Sequence, residues 1–379
     1  MTPKLRFNDK GGKDYPDWEE SNLGELCSIT TGKLDANAQV TDGRYLFFTC
    51  AKEVFRIDEY AFEGASLLIS GNGANVGYIH NYEGRFNAYQ RTYVLQNIKV
   101  NRDYLQYYLE QNLQRRIHRE KKDGNTPYIV MTTLTNMGIS LPSAEEQNKI
   151  ALVLKSVDQK INLLTKKKEA LETYKKGLMQ KIFSQELRFK REDGTDYPEW
   201  ETLRIEDISE ERSERGFEDY PLLSITLHNG IVPQELGGKS DSSSSDKSNY
   251  KLVKVGDIGY NSMRMWQGAS GVSSFEGIVS PAYTVFKLSE RADAEYIGFL
   301  FKTHRLISTF KSHSQGLTSD TWNLKYPTLK RIKIKLPSID EQLRVVRILS
   351  HIDVSIESLN KRIDATKQLK KGLLQQMFV

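Results

Sequence analysis

The chain has 379 residues, 38% of them hydrophobic and 27% charged, which is long enough for two globular domains. No apolar run approaches the roughly 20 residues of a membrane span, and the first residues lack the apolar stretch of a signal peptide, so we expect a cytoplasmic protein with no membrane segment. The net charge of +5 permits nucleic-acid binding without demanding it, and two cysteines, Cys27 and Cys50, exclude a disulfide framework and are expected to be reduced and buried.

A short motif opens the chain and returns later. Residues 5–18 read LRFNDKGGKDYPDW, and residues 187–200 read LRFKREDGTDYPEW, identical at 8 of 14 positions. We call each copy a lead-in motif. Such a repeat predicts two related halves.

The region after each lead-in motif, 19–140 or 201–335, is predicted to be α+β, with strands first and then a helix. Runs rich in Val, Ile, Tyr, Phe and Leu predict strands at 45–50, 66–70, 92–98, 221–227, 282–288 and 331–336. Helical patterns occupy 102–120 and 293–312. The two regions resemble each other only faintly.

A second repeat follows each region. Residues 141–183 and 336–378 are identical at 17 of 43 positions without a gap. Both begin Leu-Pro and continue with Ser-x-x-Glu, Ser143 to Glu146 and Ser338 to Glu341, which predicts a capping box at a helix start.

Apolar residues in these repeats alternate in steps of four and three, as in a heptad seam. The first seam comprises Ile150, Leu154, Val157, Ile161, Leu164, Leu171, Leu178 and Ile182. The second comprises Val345, Leu349, Ile352, Ile356, Leu359, Ile363, Leu373 and Met377. The interruptions are Lys168, Lys175, Thr366 and Lys370.

About 40 residues of helix reach roughly 60 Å. A single seam of that length needs a partner, and the other copy is the simplest one. We therefore predict an antiparallel pair that acts as a rigid spacer with one globular domain at each end, in a cyclic, pseudo-twofold arrangement. The alternative is that each helix packs only on its own domain. Gly177 and Gly372 weaken the helices or allow a neighbour to approach closely.

The lead-in motifs and the repeated helices, which we call the frame, are alike in the two halves. The regions between them, 19–140 and 201–335, are not alike, and we call them the variable regions. Leu5 recurs as Leu187 and Leu141 recurs as Leu336; the second offset is the larger, so the second region is longer, and the serine-rich run 240–248 accounts for part of the difference. Duplication followed by uniform drift would erode frame and insert equally. The contrast favours two inserts specified for two different targets, such as two half-sites on double-stranded DNA.

Candidate DNA-reading side chains are polar or basic residues close to glycine and aromatic positions. Arg can bind guanine bidentately and Asn or Gln can bind adenine, while Lys and Arg hold phosphates. In the first region these are Arg44, Lys52, Arg56, Asn72, Asn75, Arg85, Gln90 and Arg91. In the second they are Asn261, Arg264, Trp266, Gln267, His313, Gln315, Asn323 and Lys325. For any single residue the alternative is a solvated surface side chain.

No catalytic or metal-binding motif occurs. The chain lacks H-E-x-x-H, paired C-x-x-C, G-x-S-x-G and the phosphate-binding G-x-x-x-x-G-K-[ST], and its six histidines show no metal-ligand spacing. We expect neither catalytic nor metal-ligating residues.

The doubled LPS-x-x-EQ helix, the repeated KKGL near its end and the LRF…DYP-W motif resemble the specificity subunits of type I restriction–modification systems. The resemblance covers essentially the whole chain. It implies two target-recognition domains that read a bipartite, asymmetric DNA sequence, and helices that dock two methyltransferase (modification) subunits, with restriction subunits in the full complex. It also implies that this chain binds no cofactor, because S-adenosylmethionine, ATP and Mg belong to the partner subunits.

On this resemblance the lead-in residues are scaffold: Tyr15, Pro16, Trp18, Tyr197, Pro198 and Trp200. Cations on the helices contact partners or nearby phosphates, or are simply solvated: Lys166, Lys167, Lys176, Lys361, Arg362 and Lys371. The predicted domains are recognition domains at 1–142 and 187–337 and spacer helices at 143–186 and 338–379. A protein-binding coiled-coil scaffold and a standalone DNA-acting enzyme remain as alternatives.

Overall fold

The computed structural model describes residues 3–120, 127–217, 219–227, 229–237, 246–318 and 321–378. Its two compact units are Met1–Lys167 with Leu359–Val379, and Lys168–Ser358. Each unit contains one variable region, part of one long helix and part of the other. Residues 240–245 of the serine-rich run lie outside the described residues. Within the described part of the chain, no helix is long and apolar enough to cross a membrane.

The first unit is built on a six-stranded sheet in the order β2-β7-β5-β6-β3-β4, in which only the β3–β6 pairing is parallel. The strands of the first unit, six in this sheet and two in a separate pair, are β1 (Glu19–Asn22), β2 (Ser28–Thr31), β3 (Tyr45–Phe48), β4 (Phe55–Ile57), β5 (Phe62–Ser70), β6 (Ile79–Ala88), β7 (Thr92–Gln96) and β8 (Gly138–Leu141). β1 pairs with β8, so the beginning and the end of the variable region meet beside the long helix.

Four helices begin in the first unit: α1 (Leu23–Leu26), α2 (Arg102–Glu120), α3 (Met131–Thr135) and the long α4 (Ala144–Phe183). The bounds of α2 confirm the helix predicted at 102–120. One face of α2 is buried in a core that also takes in strands β5 and β7 and the start of α4. The last described residues, Met377 and Phe378, are buried in the same core.

The second unit has smaller sheets. A four-stranded sheet has the order β10-β17-β14-β15, and three two-stranded sheets pair β11 with β12, β13 with β16 and β9 with β18. The strands are β9 (Glu201–Arg204), β10 (Ser209–Glu211), β11 (Leu223–Ile225), β12 (Ile231–Pro233), β13 (Lys251–Val253), β14 (Ile258–Asn261), β15 (Ser270–Val272), β16 (Gly277–Val279), β17 (Tyr283–Leu288) and β18 (Lys333–Leu336). All six predicted strand segments contain a strand.

The helices of the second unit correct one prediction. Residues 293–312 are not one helix but two, α5 (Ala294–Phe301) and α6 (His304–His313). The break occurs because the Thr303 hydroxyl accepts from the Leu306 amide and starts a new helix, as an N-cap does. α7 (Tyr326–Leu329) and the long α8 (Ile339–Met377) follow.

Within each unit, the two long-helix segments run antiparallel. In the first unit, Lys370 of α8 meets Asp158 of α4, while Met377 shares a core with Ile150. In the second unit, Lys175 meets Asp353, while Ile182 of α4 shares a core with residues at the start of α8. All predicted seam residues are buried or half-buried, and none is exposed. The predicted α+β fold with paired long helices is confirmed.

Two of the interruptions in the seam form ion pairs with the other long helix. Lys175 Nζ lies 2.6 Å from an Asp353 carboxylate oxygen, and Lys370 Nζ lies 2.9 Å from Asp158. Each pair therefore joins a repeated lysine of one helix to the repeated aspartate of the other. Gly177 and Gly372 are not sites of close approach, because a Cβ at either position would meet nothing within 4 Å.

A buried carboxylate in each long helix binds the lead-in motif. Glu146 is 0% exposed, and its oxygens accept from Arg6 Nε at 3.1 Å and Nη2 at 2.8 Å and from Trp18 Nε1 at 3.3 Å. Arg6 Nη2 also donates to the carbonyls of Tyr15 and Pro16. This pairing holds the pKa of Arg6 above its ordinary value.

The second unit repeats these contacts. Glu341 accepts from Arg188 at 3.3 and 3.0 Å and from Trp200 Nε1 at 3.1 Å, and Arg188 donates to the carbonyls of Tyr197 and Pro198. We call each Glu–Arg–Trp group a carboxylate lock. It revises half of the predicted capping box. The Ser143 hydroxyl does accept from the Glu146 amide at 3.3 Å, but each glutamate carboxylate binds a distant guanidinium, because arginine offers a bidentate contact between two charged groups.

The glutamine after each locked glutamate fixes a helix of the variable region. Gln147 Oε1 accepts from the Asn101 amide at 3.0 Å just before α2, and Gln342 Oε1 accepts from the Asp293 amide at 2.8 Å just before α5. The frame therefore positions the variable region at a helix start as well as at the β1–β8 and β9–β18 pairs.

The cysteines agree only partly with the prediction. Cys27 is buried, and burial raises the pKa of its thiol to about 11. Cys50 is half-buried rather than buried, because it lies in a loop where its thiol donates to the Arg91 carbonyl at 3.4 Å.

We expect Glu341→Gln and Glu146→Gln each to lower the free energy of unfolding by about 3 kcal/mol, because each leaves an arginine without its buried counter-charge. Urea denaturation of the intact chain measures the loss. Glu145→Gln is the matched control, since Glu145 is exposed in the same helical turn and its replacement should change stability by less than about 0.5 kcal/mol. Equal losses in the Glu145 and Glu146 variants would contradict the lock.

Candidate nucleic-acid interface

Several predicted readers of the first unit surround the loop that follows β3. Asn75 Nδ2 donates to the Cys50 carbonyl at 3.1 Å, and the Cys50 thiol donates to the carbonyl of Arg91. Lys52, two residues further on, places its Nζ 5.7 Å from the ring centroid of Tyr78. Three loops, after β3, after β5 and before β7, therefore meet here.

Asn72 joins this group through the backbone. The amide of the preceding residue, Gly71, donates to the Arg91 carbonyl at 2.8 Å, and Asn72 forms a β-bridge with Tyr128. We define the first loop surface as Lys52, Asn72, Asn75 and Arg91. The side chains of Lys52 and Arg91 are exposed, so both are accessible to phosphate or base edges.

A separate group stacks arginines on tyrosines. Arg44 lies 5.8 Å from the ring centroid of Tyr45, the rings of Tyr45 and Tyr60 are 5.0 Å apart, and Arg85 lies 4.9 Å from the Tyr60 centroid. Glu63, opposite Arg85 on β5, forms an ion pair with it at 3.1 Å and raises the pKa of its guanidinium. Arg85 is thus already engaged with a carboxylate, which a phosphate would have to displace.

The remaining two candidates of the first region also have internal partners. Arg56 donates to the Gly43 carbonyl at 3.1 Å, and Gln90 donates to an Asp35 oxygen at 2.8 Å. The contacts of the first eight candidates thus connect four of them into one surface and place the others in separate local groups.

In the second unit, a turn after β14 carries four candidates: Asn261, Arg264, Trp266 and Gln267. Asn261 Oδ1 accepts from the Met263 amide at 3.0 Å, and Trp266 Nε1 donates to the Met263 carbonyl at 3.1 Å. The turn ends at Gly268, whose φ of +86° favours glycine. These bonds give the turn a defined shape.

A hairpin after α6 packs on this turn. Gln315 and Asn323 exchange two backbone hydrogen bonds, of 3.0 and 2.8 Å, and the amide of Leu324 donates to the Ser262 carbonyl at 2.9 Å. The Trp266 and Trp322 rings meet edge to face at 5.2 Å. We define the second loop surface as the predicted readers Asn261, Arg264, Trp266, Gln267, His313, Gln315, Asn323 and Lys325, together with Lys311 and Trp322.

The second loop surface is basic and aromatic. Lys311 Nζ lies 5.6 Å from the centroid of Trp322, within the range of a cation–π contact. Arg264, His313 and Lys325 are exposed around it. Exposed cations beside aromatic rings suit a surface that holds phosphates and stacks on or contacts bases.

A half-buried lysine holds the turn of the second loop surface by donating hydrogen bonds to its backbone carbonyls. Lys302, at the end of α5, donates through Nζ to the carbonyls of Gly268 at 2.5 Å and Ser270 at 2.8 Å. Burial lowers the pKa of this ammonium to about 8. Its position at the break between α5 and α6 couples those helices to the turn.

The sequence interpretation missed Lys311, Trp322, Tyr45, Tyr60 and Lys302. Trp322 offered a usable signal, since tryptophan is uncommon and lies directly before the candidate Asn323. Lys302 offered none, because its role depends on carbonyls that are distant from it in the chain and that only the fold brings close.

Among the described residues, no cluster of His, Cys, Asp or Glu has the arrangement of a metal site. Backbone hydrogen bonds hold the described residues of these loops, and the exposed side chains among them include Lys52, Arg91, Arg264 and Gln267. In DNA-binding proteins, side chains of these kinds contact phosphates and base edges.

Comparison with known proteins agrees with this interpretation. Residues 15–173 and 197–368 match the family described as type I restriction modification DNA specificity domain. The EcoDI specificity subunit of a type I restriction enzyme from Escherichia coli is 26% identical over 97% of this chain and 89% of its own length.

Two solved structures share the fold. The S subunit of a type I restriction-modification system from M. genitalium aligns with a TM-score of 0.64 and 16% identity, over 100% of this chain and 99% of that one. A chain from work on complex assembly and conformational transition of the type I R-M system aligns with a TM-score of 0.55 and 14% identity, over 96% and 98% of the two chains. The chain therefore belongs to the type I restriction–modification DNA specificity family, whose members supply the target recognition and not the catalysis of these systems.

Proposed function

We propose that this chain recognises an asymmetric, bipartite target in double-stranded DNA, with one half-site read by each unit. The observation that carries the proposal is the contrast between frame and insert. Both units hold their variable region with the same carboxylate lock. The regions themselves differ, with a six-stranded sheet in one and small sheets in the other. Two different readers on one repeated frame suit two different half-sites and an unread spacer between them.

The two loop surfaces supply the chemistry for reading. Arg264 and Arg91 are suited to phosphates or guanine, and Asn72, Asn75 and Gln267 can form paired hydrogen bonds with adenine. Exposed lysines on both surfaces add salt-dependent attraction to phosphates. A scaffold that binds only protein would lack sequence-selective, salt-dependent binding to DNA.

We propose that the long helices also dock the modification subunits, followed by restriction subunits in the full complex. α4 exposes Leu152, Leu163 and Tyr174. These residues follow one another at intervals of about three helical turns, so they lie on one stripe of the helix. α8 exposes Leu343 and Val354 at the same interval. An apolar stripe that the inner seam leaves uncovered is typical of a surface that a partner helix covers.

The same helices also display exposed cations. Six are exposed: Lys166, Lys167, Lys176, Lys361, Arg362 and Lys371. We propose that they contact acidic groups of the partner subunits or phosphates of bound DNA. S-adenosylmethionine, ATP and Mg would be bound by those partners, with no cofactor on this chain, and the assembly would act in the cytoplasm, where DNA is accessible.

Replacing residues 19–140 with the corresponding region of another family member should change one half-site only. The exchange keeps the first carboxylate lock, because Arg6, Trp18 and Glu146 lie outside it. Sequencing of methylated sites in cells that carry the modification subunits reads the outcome. Replacing 19–140 with this chain's own residues 201–335 is a stricter variant, which should yield two equal half-sites. A change in both half-sites after the first exchange would contradict one reader per unit.

Lys302→Met should weaken binding at the half-site of the second unit about tenfold, because it removes the ammonium that binds two carbonyls and holds the turn of the second loop surface. Discrimination at the other half-site should not change. Lys287→Met removes the same charge from an exposed strand position, where the lysine contacts Glu210, and is the matched control. Binding to duplexes with single-base changes in either half-site measures both effects, and equal weakening at both half-sites would contradict the assignment.

Leu163→Glu should reduce co-purification of the modification subunit about tenfold, since it places a charge on the exposed stripe of α4. Leu163 is 67% exposed, so thermal unfolding of the chain alone should be unchanged. Asn162→Glu adds the same charge at the adjacent exposed position and should retain the partner. Normal recovery of the partner with the Leu163 variant would contradict docking on this stripe.

A further inference from the structure

We propose that Leu317 is an apolar wedge that inserts between stacked base pairs of the half-site read by the second unit. The inference rests on the DNA recognition proposed above and adds to it a specific act, the local unstacking of the duplex. It would make the second half-site depend on how easily the DNA deforms as well as on its hydrogen-bonding groups.

The exposure of Leu317 is the first observation. Its side chain is 101% exposed, the highest value for a large apolar residue among the described residues. Single exposed leucines are common on protein surfaces, but they usually rest against neighbouring side chains. Leu317 projects fully from the molecule.

The described residues of the turn that carries Leu317 are joined by hydrogen bonds. At its base, Gln315 and Asn323 are joined by two backbone hydrogen bonds. Closer to Leu317, the Thr321 amide and hydroxyl both donate to the Thr318 carbonyl at 3.0 Å. These bonds attach Gln315 and Thr318, which lie on either side of Leu317, to the returning part of the chain.

The residue before the leucine supports the same conclusion. Gly316 has a φ of +148°, and a Cβ there would lie 2.6 Å from the Thr321 carbonyl oxygen, closer than real Cβ contacts. Only glycine fits without a shift of the backbone. The chain therefore uses a residue that costs conformational entropy in order to close the turn and present position 317 outward.

The basic and aromatic residues at the base of this turn indicate that the leucine inserts into DNA. Trp322, at the base, packs on Trp266 and carries the Lys311 ammonium over its ring. Exposed Arg264 and Lys325 belong to the same second loop surface. An exposed leucine beside exposed cations is the arrangement found in proteins that insert Leu, Met or Phe between base pairs while cations bind the flanking phosphates.

The energies are compatible. Burial of the leucine side chain between bases and the phosphate contacts of the flanking cations both offset the cost of unstacking one base step. The cost is lowest at pyrimidine–purine steps, which unstack easily. We therefore expect a TA or CA/TG step at the position that Leu317 enters.

The test uses the chain assembled with its modification subunits and a duplex that contains the methylated target, with 2-aminopurine placed in turn at each position of the half-site assigned to the second unit. Binding should raise 2-aminopurine fluorescence at one step. Leu317→Ser should abolish that rise and weaken binding about tenfold, whereas Leu317→Phe should preserve it. Leu236→Ser is the matched control, because Leu236 is 68% exposed in the same unit but lies outside the second loop surface.

The outcomes separate the two proposals. If the wild-type complex shows no sequence-selective binding, the proposed recognition fails. If the wild-type complex binds selectively and the Leu317→Ser complex binds equally well with the same fluorescence, recognition stands and the wedge is overturned. Loss of the modification subunits from the Leu317→Ser complex would identify a protein contact instead and would also overturn the wedge.

Discussion

The buried carboxylates of Glu146 and Glu341 are the constraint on which both units depend. An isolated carboxylate removed from water is costly, so each must be paired and hydrogen-bonded. The two-point contact with arginine and the indole donor meet that requirement, and the same guanidinium holds two carbonyls of the lead-in motif. One buried charge thus joins the long helix, the lead-in motif and the tryptophan beside the first strand. The variable region can differ because this junction does not.

The repeat made the frame predictable. Heptad spacing identified the buried seam, and the unequal offsets of the two repeats marked where the halves diverge. The role of the glutamates was not predictable, because Ser-x-x-Glu is a local pattern whose usual partner is a nearby amide. The partner of Glu146 in the fold, Arg6, is 140 residues away in the chain. A local motif cannot reveal competition from a charged group that only tertiary structure brings close.

The frame extends further into the variable regions than sequence identity indicates. Tyr104 and Tyr296 occupy matching places, each capped from three residues earlier and each edge to face with its lead-in tryptophan. Their local sequences, DYLQYYLE and AEYIGFLF, share too few residues for a single chain to reveal the match. The convergence of loops was likewise hidden, since the turn and the hairpin of the second loop surface lie far apart in the chain. β6 was missed because Asn, Gly and Glu interrupt its apolar alternation.

The lysines that interrupt the apolar seam help to determine which faces of the long helices remain exposed. Each of them, Lys175 and Lys370, pairs with an aspartate at one position of the opposite helix, and a shift of one heptad would leave both charges unpaired. Apolar seams alone tolerate such shifts, whereas a polar pair within a seam can specify register, and both of these pairs are half-buried. With the register fixed, the faces turned away from the seam are fixed as well, including the stripe of Leu152, Leu163 and Tyr174. The interruptions that lower the apolar content of the seam therefore determine which surface of the helices remains exposed.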